Sequence, residues 1–141
     1  MPRRKSSKLR PPERDYSHRS LLDKLGVKAG QRICVLGLED AAFLKELATI
    51  TPDVAIEKAQ KEADLIFLGA GDLKSLARIQ SLEGSMNRNG AIWIVYPKGQ
   101  KHIREADIMA AGKSAGLTDN KVCRFSETHT ALRFVIPLAR R

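Results

Sequence analysis

Three stretches of the chain consist of consecutive apolar residues with no polar alternation. They lie within segments near residues 32–36, 64–69 and 91–96, of which the first two begin with Arg32 and Asp64. Each is followed or closed by a turn-forming residue, and the first two of these are Gly37 and Gly69. Apolar runs of this length are typical of strands that are buried on both faces, as in a parallel sheet. The pattern therefore predicts three central strands of one sheet.

Helical spacing of apolar residues follows the first two strands and recurs nearer the C-terminus. Asp40 is placed to cap a helix that extends to residue 50, and Asp72 is placed to cap a second helix. The apolar face of the second helix would comprise Leu73, Leu76, Ala77 and Leu82. A third helix is predicted over 105–115, with Gly116 in the left-handed position that ends many helices.

Three shorter elements are predicted in addition to these strands and helices. A short helix near 20–25 precedes the first strand, and a weaker strand near 53–57 lies toward one edge of the sheet. Residues 87–90, Asn-Arg-Asn-Gly, have the composition of a tight turn. Strands and helices therefore alternate through most of the chain.

The C-terminal segment departs from this alternation. Apolar runs at 122–125 and 131–136 are joined by only five residues, with no helix between them. Parallel strands need a crossover of about a dozen residues or more, so this pair should be antiparallel. The sequence thus predicts an α/β protein with a mostly parallel sheet, closed at one edge by a hairpin over 120–137.

Basic residues are concentrated at the N-terminus of the 141-residue chain, whose net charge is +9. Residues 1–19 hold seven Lys or Arg against two Asp or Glu, together with several Pro and Ser. This composition is typical of a disordered arm. Weak, non-specific contact with nucleic acid through residues 3–19 is the alternative interpretation. Residues 20–141 are predicted to form a single domain.

The cysteines and the apolar runs indicate the compartment. Cys34 and Cys123 lie in separate apolar segments without the spacing of a metal site, which predicts buried thiols in a reducing cytosol and no bound metal. No apolar run approaches the roughly 20 residues that a transmembrane helix needs. We therefore expect a cytoplasmic protein with no membrane partner.

Two family resemblances follow from these elements. Residues 85–95, Ser-Met-Asn-Arg-Asn-Gly-Ala-Ile-Trp-Ile-Val, resemble the turn into the fifth strand of class I S-adenosylmethionine-dependent methyltransferases, and the architecture over roughly 20–139 resembles the same family. The resemblance implies a Rossmann-like three-layer sandwich, similar to a minimal class I methyltransferase. Shorter motifs resemble a small bacterial family of uncharacterised proteins with a domain of unknown function. These motifs are Tyr16-Ser17-His18, Ser20-Leu21-Leu22, Val35-Leu36-Gly37, Trp93 to Gly99, and Phe125 to Leu132.

The methyltransferase resemblance also implies where a cofactor would bind and how that site departs from the family pattern. The family's first loop carries several glycines, whereas here Gly37 is followed by Leu38 and Glu39. An acid that closes the second strand receives the ribose hydroxyls in the family, and Glu57 matches that position. The strand and loop that read adenine have no counterpart in this sequence. S-adenosylmethionine is therefore a possible cofactor at a degenerate site.

Topology predicts a ligand cleft even where the chemistry is unspecified. Open α/β sheets bind ligands beyond the carboxyl ends of their strands, at the point where strand order reverses. The predicted cleft is lined by Gly37, Leu38, Glu39, Gly69, Gly71, Lys98, Ser126 and His129. Two acids at the start of the first long helix, Glu39 and Asp40, disfavour a phosphate and suit an amino group. His102 lies in a polar loop and is interpreted as solvated.

Three hypotheses for function follow. The preferred one is a small-ligand-binding or interaction module that kept the fold and lost catalysis, so that the protein is not an enzyme. A nucleic-acid-associated protein acting through the basic arm is the second, and a minimal S-adenosylmethionine-dependent methyltransferase is the third. Stabilisation by the cofactor would indicate the methyltransferase, and steeply salt-dependent binding would indicate the nucleic-acid protein.

Overall fold

A six-stranded sheet forms the centre of the protein. The computed structural model describes residues 21–141. The predicted basic arm and its nucleic-acid contact lie outside the described residues. The strands are β1 (Ile33–Leu36), β2 (Val54–Ile56), β3 (Ala63–Gly69), β4 (Met86–Pro97), β5 (Thr118–Arg124) and β6 (His129–Val135). Their spatial order is β2-β1-β3-β4-β6-β5.

The first four strands are parallel, and the last two run antiparallel to their neighbours. β1 pairs in parallel with β2 and β3, and β3 pairs in parallel with β4. β6 is antiparallel to both β4 and β5. This arrangement confirms the predicted α/β sheet with a C-terminal hairpin at one edge and the short strand β2 at the other.

Helices cover both faces of the sheet. They are α1 (21–25), α2 (Ala41–Ile50), α3 (Leu73–Leu76) and α4 (Glu105–Ser114), with 3₁₀ turns at Ala77–Ser81, Glu83–Ser85 and Leu138–Arg140. Residues of α1 and α2 pack with Phe67 and Trp93 on one face. Residues of α3, the following 3₁₀ turn and α4 pack with Ile66 and Ile92 on the other face. The three-layer arrangement places a separate apolar core on each side of the sheet. None of the helices formed by residues 21–141 has the length and apolar character needed to cross a membrane.

The predicted second helix is shorter than expected, and its buried face differs. Only Leu73–Leu76 is α-helical, and the chain continues as a 3₁₀ turn. Leu73 is 54% exposed, whereas the buried residues are Leu76, Ile79 and Leu82. Their spacing of three residues matches the period of a 3₁₀ helix, in which residues i and i+3 share a face. The sequence interpretation was wrong here because it applied the α-helical period to all four leucine and alanine positions.

The predicted turn at 87–90 is instead part of β4, where it forms an irregular bulge. Met86 pairs with Ala63 and Ala91 pairs with Leu65, so five steps along β4 match two steps along β3. A Cβ atom at Gly90 would lie 2.7 Å from the carbonyl oxygen of Asp64, so only glycine allows this close approach. Turn-forming residues therefore mark a bulge inside a strand rather than its beginning.

The end of α4 follows the predicted pattern. Gly116 has φ +81°, and its N–H donates to the carbonyl of Lys113 at 2.9 Å. The N–H of Leu117 donates to the carbonyl of Gly112 at 2.9 Å. These two bonds satisfy carbonyl groups at the end of the helix and turn the chain toward β5.

Of the two free thiols, Cys34 is buried as predicted, while Cys123 is only half-buried.

Asp40 begins α2 as its N-cap. Its Oδ1 atom accepts a hydrogen bond from the N–H of Phe43 at 3.1 Å. Replacing Asp40 with alanine is expected to lower the free energy of unfolding by about 1 kcal/mol, because this N–H loses its acceptor. Urea unfolding followed by circular dichroism measures the change. Glu39→Ala is the matched control, since this neighbouring acid does not cap the helix, and equal losses in the two variants would contradict the capping role.

Candidate functional site

A cleft of about 440 Å³ lies at the carboxyl ends of the parallel strands. It is formed where the loops after β1 and β3 meet the turn between β5 and β6. Its lining includes Gly37, Leu38, Glu39, Gly69, Gly71, Ser126 and His129, all of which the sequence placed together. The structure adds Asp40, Ala41, Ala70, Val95, Phe125 and Thr128. The cleft therefore lies at the edge of the sheet where open α/β folds bind ligands.

Lys98 does not line this cleft. It lines a second pocket together with Tyr96, whereas Val95 faces the cleft. Residues two apart along an extended strand project to the same side, so Lys98 lies on the same face of the sheet as Tyr96 and on the opposite face from Val95. The sequence placed Lys98 at the correct end of β4 but on the wrong side of the sheet.

The loops after β1 and β3 are in direct contact through two glycines. A Cβ atom built at Gly37 would lie 3.0 Å from the carbonyl oxygen of Gly69. One built at Gly69 would overlap the carbonyl oxygen of Gly37 and lie 2.8 Å from its carbonyl carbon. Gly37 also has φ +64°, a conformation that favours glycine. Both glycines are therefore explained by packing between the loops, without a ligand.

Glu57, at the end of β2, contacts the loop after β1. Its Oε2 atom accepts a hydrogen bond from the N–H of Gly37 at 2.6 Å, and Nη1 of Arg78 lies 4.0 Å from its Oε1 atom. Glu57 itself has φ +57°, a rare conformation for a residue with a side chain. This carboxylate does not line the cleft. It instead holds the loop that forms one of the cleft's walls.

The two acids at the start of α2 have different roles. Asp40 accepts the N–H of Phe43 and is therefore engaged by the helix. Glu39 is exposed, lines the cleft, and has no hydrogen bond or ion pair with any other described residue. Glu39 is thus the carboxylate in this cleft that remains available to a ligand cation.

The turn between β5 and β6 supplies hydroxyl groups and an imidazole. Oγ of Ser126 accepts hydrogen bonds from the N–H groups of Thr128 and His129 at 3.3 and 3.1 Å. Oγ1 of Thr128 lies 2.8 Å from Nδ1 of His129. This contact fixes the ring and leaves Nε2 as its unused nitrogen among the contacts of residues 21–141. The sequence did not single out Thr128, although its position beside His129 in a five-residue turn was the available signal.

His102 is exposed, as predicted, but it also joins two loops. Its Nε2 atom lies 2.9 Å from the carbonyl oxygen of Gly71. The loop after β4 is therefore tied to the loop after β3 at the rim of the cleft. Within the described part of the chain, no group of three or more His, Cys, Asp or Glu side chains is arranged to hold a metal ion.

Comparisons with solved structures agree on the fold. No protein-family model and no curated protein matches the sequence. A SAM-dependent methyltransferase from Aquifex aeolicus superposes with a TM-score of 0.67 at 13% identity, covering 90% of this chain and 94% of that chain. Magnesium protoporphyrin IX methyltransferase from Synechocystis, solved with bound SAM, gives a TM-score of 0.60 at 15% identity, covering 87% of this chain and 77% of that chain.

A third match has the same character. A putative type 11 methyltransferase from Sulfolobus solfataricus gives a TM-score of 0.64 at 12% identity and covers 85% of this chain and 91% of that chain. The fold is therefore that of the class I S-adenosylmethionine-dependent methyltransferases. At these identities the likeness extends to the fold alone, and the predicted Rossmann-like architecture is confirmed.

Proposed function

We propose that this protein is a small-ligand-binding module that has the methyltransferase fold with a degenerate cofactor site. Its ligand is a small polar molecule with an amino group, held in the cleft between the loops after β1 and β3 and the β5–β6 turn. The interaction that carries this proposal is the hydrogen bond from the N–H of Gly37 to Oε2 of Glu57 at 2.6 Å.

This bond engages two groups that a dinucleotide-type site would offer to its ligand. An acid at the end of the second strand serves ribose hydroxyls in such sites, and the backbone of the first loop approaches the ligand closely. Here the carboxylate of Glu57 binds the first loop instead, and the loop's glycine packs on Gly69. Glu57 does not line the cleft, and a nucleoside could use its carboxylate only through Oε1, which faces Arg78, or by displacing the Gly37 N–H from Oε2. The arrangement therefore favours a ligand without a ribose.

The groups that remain available define the ligand's chemistry. Glu39 offers a carboxylate that pairs with none of residues 21–141, which suits a cationic amino group. Across the cleft, Oγ1 of Thr128 is paired with Nδ1 of His129, so Nε2 of the imidazole is the group that this pair leaves available. A free amino acid has an ammonium group that Glu39 can bind and a carboxylate that Nε2–H of His129 can bind when Thr128 donates its proton to Nδ1. Amino-acid-like molecules are accordingly the class that this cleft fits.

Calorimetric titration with methionine and with S-adenosylmethionine tests the proposal, because the two share an amino-acid part and differ by the adenosyl group. We expect similar Kd values for the two, and a weakening of about tenfold for both in Glu39→Gln, which corresponds to roughly one charge-assisted hydrogen bond. Glu62→Gln, which removes a charge from an exposed acid before β3, is the matched control and should bind like the unmodified protein.

A minimal methyltransferase is the second candidate. It is favoured by the match to the Aquifex aeolicus methyltransferase, because the match covers 94% of that chain. That protein therefore has no large substrate-binding insertion that this chain lacks. In that case S-adenosylmethionine should bind at least 100-fold more tightly than methionine, and Glu57→Gln should weaken it. This outcome would overturn the module proposal. The nucleic-acid hypothesis stays a prediction, because its residues lie in the segment before residue 21.

A further inference from the structure

A second pocket, of about 450 Å³, lies beside the end of β4 and the start of α4. Its lining comes almost entirely from one loop that joins these two elements. The residues are Tyr96, Lys98, Gly99, Gln100, Lys101, Ile103, Arg104, Glu105 and Thr130. Lys98, which was predicted to line the cleft, lines this pocket instead.

Basic side chains surround the pocket without acidic partners. Lys98, Lys101 and Arg104 make no ion pair with any of the residues from 21 onward. One acid, Glu105, faces the pocket, and its Oε1 atom lies 3.5 Å from the hydroxyl of Tyr96. Three cations against one carboxylate leave an excess of about two positive charges, which attracts an anion.

The charge comes mainly from these side chains, because two N–H groups at the start of α4 already have acceptors. The N–H of Arg104 donates to Oδ2 of Asp107, and the N–H of Asp107 donates to the carbonyl of Arg104, both at 2.9 Å. Asp107 does not line the pocket. The charge that a ligand would meet is therefore set by the loop's lysines and arginine.

The inner part of the pocket is apolar. Tyr96 is 5% exposed and Ile103 is 1% exposed, and both contribute to the lining. Burial raises the pKa of the Tyr96 hydroxyl, and the nearby Glu105 carboxylate raises it further, so the group stays protonated at neutral pH. A ligand here meets the small exposed parts of these two apolar side chains, with Lys98, Lys101 and Arg104 also lining the space.

The pocket is distinct from the cleft. Tyr96 pairs with Thr130, and these two residues line the pocket, whereas Val95 and His129 line the cleft. Adjacent residues on a strand project to opposite sides of a sheet, so the β4–β6 pair separates the two spaces. Occupation of one does not require occupation of the other.

We propose that this pocket binds a phosphate monoester attached to a small apolar group. The dianionic phosphate lies among Lys98, Lys101 and Arg104, and the apolar group rests on Tyr96 and Ile103. A phosphate dianion matches the excess of two positive charges, and arginine can bind phosphate oxygens through two N–H groups.

Phenyl phosphate is the probe that combines both parts, and inorganic phosphate and phenol are the probes for each part alone. Binding is followed by chemical shifts of the backbone amides in full-length ¹⁵N-labelled protein at low salt. We expect saturable shifts at Gly99 and Lys101 with phenyl phosphate, at a Kd at least tenfold lower than for either fragment. Lys101→Gln combined with Arg104→Gln should weaken phenyl phosphate about tenfold or more, since two charge-assisted bonds are lost.

The matched control removes the same charge elsewhere. Lys28→Gln combined with Lys45→Gln removes two exposed charges outside the pocket, and it should leave the Kd for phenyl phosphate within about twofold. Equal weakening in both double variants would show attraction to net charge only and would overturn the proposal. It would also be overturned if inorganic phosphate bound as tightly as phenyl phosphate, or if the shifts centred on Glu39 and His129 in the cleft.

Discussion

Replacing Trp93 with alanine is expected to lower the free energy of unfolding by about 3–5 kcal/mol. Trp93 is 0% exposed and lies in β4, between β3 and β6 at the centre of the sheet. Its Nε1–H group donates to the carbonyl of Leu25 at 2.9 Å, which ties α1 to the sheet. The substitution removes a large apolar volume and leaves this buried carbonyl without its donor. Urea unfolding followed by circular dichroism is the suitable measurement, because Trp93 is the chain's one tryptophan and its fluorescence is lost.

Two further variants separate the contributions to this loss. Trp93→Phe keeps much of the apolar volume but leaves the Leu25 carbonyl unpaired, so it should cost about 1–3 kcal/mol. Leu73→Ala is the exposed control, because Leu73 is 54% exposed, and it should stay within about 0.5 kcal/mol of the unmodified protein. A loss below 1 kcal/mol for Trp93→Ala would show that β4 is not the centre of the core.

Replacing Gly69 with alanine is expected to destabilise the protein by about 1–3 kcal/mol and to disturb the cleft. The added Cβ atom would overlap the Gly37 carbonyl and lie 3.1 Å from Cα of Leu38. All of these atoms belong to the backbone, so no side chain can rotate away to make room. The loop after β1 must move instead, and the bond from Gly37 to Glu57 moves with it. Amide chemical shifts of Gly37 and Leu38, measured with the free energy of unfolding, report both effects.

Gly71→Ala is a control within the same loop. A Cβ atom at Gly71 meets nothing within 4 Å, so alanine should be accommodated there with little change in stability. If Gly69→Ala left the amide shifts of Gly37 unchanged, the two loops would not be in contact as described. If the two variants were equally destabilised, the loss would reflect the flexibility of glycine and not the close approach.

The central strands could be predicted because they carry their own signal. Within the predicted strands near 32–36, 64–69 and 91–96, the residues 33–36, 65–68 and 91–96 are buried, so each of these positions had to be apolar. The hairpin was predictable from the length of its connection alone. The 3₁₀ segment after Leu76 could not be predicted. The spacing of Leu76, Ile79 and Leu82 fits a 3₁₀ helix, but tertiary packing decides that these three residues are the buried ones.

The location of the candidate site followed from topology, but the partners within it did not. Parallel strands bring their carboxyl ends to one edge, which is why Gly37, Gly69 and His129 could be grouped from the sequence. The bond between Glu57 and Gly37 spans 20 residues and depends on the left-handed backbone at Glu57, which the sequence does not signal. Lys98 was assigned to the wrong face of the sheet. Its face depends on how side chains alternate at the end of β4, which the sequence around Pro97 does not specify.

The outer strands of the sheet have a consequence for association between molecules. β2 has three residues and is bounded by Pro52, which has no N–H, and by the left-handed Glu57. At the opposite edge, β5 carries Lys121 and Arg124 and has an irregular register beside Asp119. Short, interrupted or charged outer strands are poor templates for pairing with another chain. The described fold therefore limits edge-to-edge aggregation at both ends of its sheet.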